Sequence, residues 1–449
     1  MLKSVIAVAV ACLSVFALDL AQPFAGTGGQ RFRLTFNTKA FGPIDVVVRF
    51  AADGRGVVGR SSSEVAPTLR EMAIVPWMGQ ETVSLQLSAK ADGLLVGTVD
   101  APNLSGQIRL VMSPKGITGE VTDGPLAGAV SGVPWEFARP LRDYPALVKA
   151  MDAVMAQALF DPNQLRNPKF VRFRNLLGRV AQHAVDDADV VFAVSAGWDN
   201  QVFSHFGLQR VSRSEIVADT DARGRPAVEV HRRGAAAIMR VNTFLGELAA
   251  KQFDVAFADL ARAPPTALIV DMRATPGGSL SVRALINRLV RTQDVLGWFV
   301  ANAWWRSNAA LPTPTRLASE PLDNFDDPQA AVERLNTIGL LKVAIGGAPD
   351  SYAGPVFVLI DKRTESVAEL AAAALQGLGR ATVIGERSAG EVLSADTIPL
   401  SDGFSLYLPL ADYYDARLGR LEGKGVVPDI TVPSAQALDR ALRLAVGPQ

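Results

Sequence analysis

The chain has 449 residues, 49% of them hydrophobic, which is enough to fill the cores of two or three domains. Lysine plus arginine equals aspartate plus glutamate, 45 of each, and no long single-sign run occurs, which argues against nucleic acid or an anionic membrane surface as partner. The single cysteine, Cys12, falls in the leader, so the mature chain has no material for disulfides, thiolate catalysis or a cysteine–zinc site.

Lys3 followed by the apolar stretch Val5 to Leu18 reads as a secretory signal peptide within residues 1–25, with cleavage expected after Ala17 and sites up to Ala25 open. A single membrane anchor is the rival reading, and a lipobox at Cys12 a poorer one. No later apolar stretch is long enough to span a bilayer. An exported, cysteine-free chain fits the periplasm of a bacterium.

Short alternating runs follow: Arg31–Asn37, Asp45–Phe50, Val83–Leu87, Leu94–Val99, Gln107–Met112 and Ile117–Val121. Turn signals at Ala52-Asp53-Gly54, Ala91-Asp92-Gly93 and Lys115-Gly116 separate them. This predicts a small all-β domain, a sandwich or barrel, over 28–135. Residues 132–145 read as a linker. Helical spacing over 146–160 and 171–185 gives a helical segment, 139–207, that ends near Ser204-His205. Strands in 208–235 and then alternating β and α patterns over 208–445 argue for a parallel or mixed sheet with covering helices.

The most informative stretch is PVFVLIDKRTESVAELAAAALQGLGRATVIGERSAGE, 355–391. Val356–Ile360 is a buried strand, Ser366 opens a helix running to about Leu378, and Ala381–Ile384 returns to the sheet. A serine at a helix start sits among unpaired N–H groups and partial positive charge, which suits a nucleophile whose substrate becomes an oxyanion. Ser366-Val367-Ala368-Glu369 equally fits a capping box, which needs no chemistry.

The strand, the S-x-x-E helix start and the GRATVIGERSAG return resemble the C-terminal processing (tail-specific) serine proteases. Relatives of that family include the tricorn core protease and the retinoid-binding repeats of the eye. Three further blocks match in the family's order: ALIVDMRATPGGSL at 267–280, DGFSLYLPLADYY at 402–414 and RLEGKGVVPDITV at 420–432. The resemblance implies an α/β core of crotonase/Clp-like type and a serine peptidase acting on protein or peptide substrates without a cofactor. Many members carry a PDZ domain between the early His/Ser block and the core; here about 30 residues separate His205 from Ala236, too few for one.

In the processing proteases the base is a lysine after GE-x-x-x-G. Here Gly385–Gly390 is followed by Glu391, so a Ser–Lys pair is not available at that position. The remaining bases are His183, His205 and His231. His183 reads as a solvated helix end and His231 as an exposed strand residue. His205, with Ser204 before it and Phe203 and Phe206 flanking, resembles the Ser-His pair of the tricorn-type branch. That branch also uses a late glutamate, matched by Glu422, with Glu386 and Glu391 as rivals. Gly277 and Gly278, with the N–H of Val367, are candidates for an oxyanion hole, or for an ordinary Pro-Gly turn. No metal-ligand spacing and no nucleotide loop occurs. Trp298, Trp304 and Trp305 read as packing. The alternative is a hydrophobic-ligand-binding or scaffold protein on a protease-like fold, with Ser366 acting as a cap.

Overall fold

The computed structural model describes residues 30–52, 57–60, 83–90, 94–101, 104–113, 115–136, 139–198, 200, 202–209, 225–279, 281–325, 327–348 and 350–446. The expected signal peptide, the turn signals at 53–54 and 91–93 and residues 210–224 lie outside them.

Eight strands, β1 (Gln30–Thr38), β2 (Gly42–Ala52), β3 (Val57–Arg60), β4 (Ser84–Ala89), β5 (Leu94–Ala101), β6 (Leu104–Ser113), β7 (Gly116–Val121) and β8 (Gly128–Pro134), form a closed antiparallel barrel. Alternation builds it. Phe32, Leu34 and Phe36 of β1 point inward opposite Val48, Val46 and Ile44 of β2, and all six are buried. Pairing of β1 with β8 leaves no free edge. β8 takes up 128–134 and the next helix starts at Tyr144, so the expected linker 132–145 shrinks to about 135–143. Pro145 sits in that helix's first turn, where its missing N–H costs nothing.

Three helices follow: α1 (Tyr144–Ala158), α2 (Pro168–His183) and α3 (Asp187–Gly197), then the short strand β9 (Gly207–Gln209). α3 was not legible as a helix by periodicity, because it is apolar on nearly every side; it is buried on nearly every side too.

The remaining chain builds two sheets. One runs β10 (Val228–Arg233), β11 (Ala236–Val241), β12 (Leu268–Asp271), β16 (Val356–Ile360), β17 (Thr382–Gly385), β21 (Ile430–Thr431), parallel from β11 onward. The other orders β14 (Leu322–Asp323), β15 (Leu340–Ile345), β13 (Asp294–Ala301), β19 (Ser405–Asp415) and β18 (Ser394–Pro399), with β9 and β20 (Gly419–Arg420) also paired to β19. A single sheet was expected; the second one comes from strands whose alternation is blurred because β19 is buried on both faces. The helices are α4 (Glu247–Arg262), α5 (Val282–Asn287), α6 (Asn302–Ser307), α7 (Pro314–Ser319), α8 (Pro328–Thr337), α9 (Val367–Gly377) and α10 (Ser434–Ala445). One face of the parallel sheet packs on α10 through Ile269, Leu359, Ile384, Ala437 and Ala441. Its other face shares a core with α4, α5, α9 and β15. The helices α1 to α3 are not a separate layer: Met151, Phe173 and Val194 share a core with Leu406 and Leu408 of β19.

Candidate active site

The site lies beyond the carboxyl ends of the adjacent parallel strands β12 and β16, where the chain leaves both strands in loops. The two loops are stitched together. Thr364 Oγ1 donates to the Met272 carbonyl at 2.9 Å, Ala274 N–H to Asp361 Oδ1 at 3.0 Å and Glu365 N–H to the Thr275 carbonyl at 3.0 Å. Ser366 follows with φ 57° and ψ −127°, at the N-cap of α9. Glu369 reaches back to the Ser366 N–H at 3.2 Å, one half of a capping box, while the Glu369 N–H donates to the Ser366 carbonyl at 2.9 Å. An N-cap ordinarily takes β-region angles, however, and a cap alone gives no reason for positive φ. A strained strand-to-helix turn of this kind exposes a side chain above the sheet.

Gly277 and Gly278 also have positive φ, 81° and 147°. A Cβ on Gly277 would stand 2.6 Å from Ser366 Cβ and 3.2 Å from its Oγ, so only glycine lets this backbone lie against the serine. The bridge between Phe244 and Gly278 uses the N–H groups of Phe244 and Ser279, leaving the Gly278 N–H out of that pairing.

His205 arrives from the loop after α3. Trp198 Nε1 donates to the Phe203 carbonyl at 3.2 Å, and its ring packs 4.4 and 4.6 Å from those of Phe203 and Phe206. Within this aromatic nest Ser204 is fully buried. Its Oγ lies 2.7 Å from His205 Nδ1 and donates to Glu422 Oε2 at 3.1 Å, and its N–H donates to Glu422 Oε1 at 2.9 Å. Glu422 takes a third bond from Val392 N–H at 2.9 Å. A hydroxyl that gives its proton to a carboxylate must accept from the imidazole, so Nδ1 carries hydrogen and Nε2 keeps its lone pair. Burial pushes His205 down to about 4, so the ring is neutral, and it pushes Glu422 up against its three donors.

Ser366, Val367, His205 and Gly278 line one cavity of about 190 Å³, walled further by apolar side chains including Leu296, Phe299, Phe325 and Ile345. Among the described residues no hydrogen bond joins the Ser366 hydroxyl to the His205 ring in this conformation.

The other candidates are occupied elsewhere. Glu386 accepts from Ser434 N–H at 3.0 Å and Glu391 from Asn200 Nδ2 at 3.3 Å, so neither supports the imidazole. His231 and His183 are exposed. The acids beside His183 are the surprise: Asp186, Asp187 and Asp189 are buried, paired with Arg31, Arg49, Arg142 and Tyr144. Trp304 is buried and packs with Trp298 and Trp305 against Val300 and Leu340. Sequence reasoning missed Tyr407, whose ring stands 5.9 Å from that of His205, and the central place of Glu369. The capping-box spacing was the only signal for the latter. No group of three or more metal-ligating side chains occurs among the described residues.

The chain is 26% identical over 223 residues to carboxy-terminal processing protease CtpB of Bacillus subtilis, covering 50% of this chain and 38% of the relative. It is 26% identical over 242 residues to the carboxyl-terminal-processing protease of Synechocystis, covering 53% and 46%. The chain thus spans less than half the length of these two relatives. Among solved structures, the photosystem II D1 C-terminal processing protease is 15% identical with a TM-score of 0.41 over 67% of this chain and 98% of that one. The tricorn protease is 11% identical with a TM-score of 0.43 over 88% and 46%. Residues 235–432, the stretch that holds Gly277, Ser366 and Glu422, match the model of peptidase family S41.

Proposed function

We propose that this chain is an exported serine peptidase of the Ser/His/Glu type on a crotonase/Clp-like core. The observation that carries the reading is the buried chain Glu422–Ser204–His205 entering the same cavity as Ser366. With a peptide in the cavity, His205 Nε2 takes the Ser366 proton as Oγ bonds to the carbonyl carbon. The oxyanion lies against the N–H groups of Val367 and of Gly277 or Gly278. The imidazolium then returns the proton to the leaving nitrogen as the C–N bond breaks, and water hydrolyses the acyl-enzyme by the reverse sequence. Glu422, acting through Ser204, offsets the charge that appears on a buried ring. The Ser366–His205 contact closes when substrate fills the cavity, and the apolar walls suit an apolar residue at the cleaved bond.

Intact-protein mass after exposure to a fluorophosphonate tests this. The expected result is one adduct on the parent and none on Ser366→Ala or His205→Ala. An adduct that persists on Ser366→Ala sinks the assignment. An unlabelled parent that takes up an apolar ligand instead favours the binding-protein reading, for which the apolar cavity speaks.

A further inference from the structure

Glu369 is an acidic residue that the reaction scheme leaves without a task, yet it is fully buried and touches the nucleophile's own backbone. Its carboxylate gathers four donors, one from Ser366 and three from the segment 388–391. Oε2 accepts from Ser366 N–H at 3.2 Å and from Glu391 N–H at 2.9 Å. Oε1 accepts from Gly390 N–H at 2.7 Å and from Ser388 Oγ at 2.6 Å. Ser388 Oγ in turn accepts from Val426 N–H at 2.6 Å, on the loop that carries Glu422. The Ser366 N–H is shared, with a shorter bond of 2.8 Å to the Glu391 carbonyl, so the returning segment grips the serine both directly and through the Glu369 side chain.

We propose that Glu369, as a carboxylate, is the positioning residue that holds Ser366 in its strained, substrate-facing conformation, and that its protonation switches the nucleophile off. This rests on Ser366 being the nucleophile. The physical reason is a count of donors. An ionised carboxylate offers lone pairs to all four partners; of these only the Ser388 hydroxyl can turn to accept from a protonated one, so protonation either reverses that bond or drives a backbone N–H out. A turn at positive φ persists only while its surroundings over-determine it, so losing a donor there relaxes the serine first.

The charged neighbours do not supply a substitute. Glu386 and Glu391 are bonded to Ser434 and Asn200, Arg387 donates to the Lys424 carbonyl, and Glu422 holds Ser204. Arg283 on α5 donates to the Phe325 carbonyl, and Asp412 and Asp415 on β19 bind Arg420 and the Arg417 and Leu418 N–H groups. Glu365, before the helix, is itself pushed up by burial and by Glu391 and Asp361. Burial raises Glu369 to about 7, opposed chiefly by its Ser388 bond and then by the backbone N–H groups, whereas His205 is already neutral above about 4.

The test is the fluorophosphonate labelling rate against pH on the full chain, for the parent, Ser388→Ala and Glu369→Gln. The parent is expected to lose labelling below a midpoint near neutrality. Ser388→Ala removes the bond that most favours the ionised form, so the midpoint moves to higher pH. Glu369→Gln labels at least 10-fold more slowly with no near-neutral limb. A merely structural Glu369 leaves the midpoint of Ser388→Ala where it was, and that result overturns the proposal. A parent labelled equally across this range overturns it as well, while leaving the serine assignment standing. A parent unlabelled at every pH overturns the serine assignment and this proposal together.

Discussion

The barrel and the site are built by opposite rules. The barrel buries what the alternation of its strands says it should: Leu34, Val46, Val48 and Leu85 inside, Arg33 and Asp45 outside. The site buries Glu369, Glu422 and Ser204 and holds His205 and Ser366 at positive φ. Apolar burial needs no particular partner, so any single strand carries its own instructions. Buried polar groups need partners at the right distance, and here those partners come from positions up to 218 residues apart. One region is specified locally and the other only by the assembled chain.

The largest test of that contrast is Glu422→Gln. It leaves the shape but turns an acceptor of three bonds into a group that must also donate, so Ser204 can lose the carboxylate that takes its proton and leaves it free to accept from the imidazole. Labelling and peptide hydrolysis are expected to fall about 10⁴-fold, as for the equivalent carboxylate in a serine triad, with the circular dichroism spectrum unchanged. Activity within tenfold of the parent means that Glu422 supports the fold and not the base.

Arg31→Met asks whether the two regions are independent. Arg31 Nε binds Asp186 at 2.9 Å and its Nη2 binds Asp189 at 2.7 Å, while both acids cap α3, the helix that leads to His205. Removing one partner of a buried pair typically costs about 3–5 kcal/mol, read as a lower urea midpoint. If labelling of the folded fraction also slows, the barrel helps to hold the base. Unaltered stability means the ion pairs are solvated and the junction is loose.

Gly277→Ala acts only inside the site. The added methyl cannot coexist with Ser366 Cβ, and an alanine at φ 81° is strained. Displacing one oxyanion donor costs about 10²- to 10³-fold in rate. A normal rate places the oxyanion elsewhere.

The same contrast governs what was legible in the sequence. Six barrel strands could be read from alternation, and β3 and β8 could not, being short or rich in glycine. Ser366, the glycine turn and His205 could be singled out as candidates only with the resemblance, since a capping box and a Pro-Gly turn account for the first two locally, and the structure brings the three to one cavity. Glu422 is the candidate the resemblance supplies, with Glu386 and Glu391 as rivals, since nothing in Arg420-Leu421-Glu422 itself says that it will be buried and meet Ser204. Arg49 sits on the outward face of β2, where an arginine reads as solvated, yet α3 covers it. Burial by a distant element leaves no mark on the residue buried.

The smallest effect separates stability from activity at one residue. Glu369 is raised in the folded chain, from an ordinary 4.5 to about 7, so the fold takes up its proton more readily than the unfolded chain does. Its contribution to stability is therefore complete below about 4.5 and is lost as pH rises through about 7, a swing of about 3 kcal/mol. Urea midpoints of the parent and of Glu369→Gln, measured from pH 4.5 to 8, should show the parent losing that much relative to the variant. The proposed labelling rate moves the other way over the same interval. The carboxylate that arms the serine is thus a burden on the fold at the pH where it works, and parallel stability curves for the two proteins would remove the titrating group from both arguments.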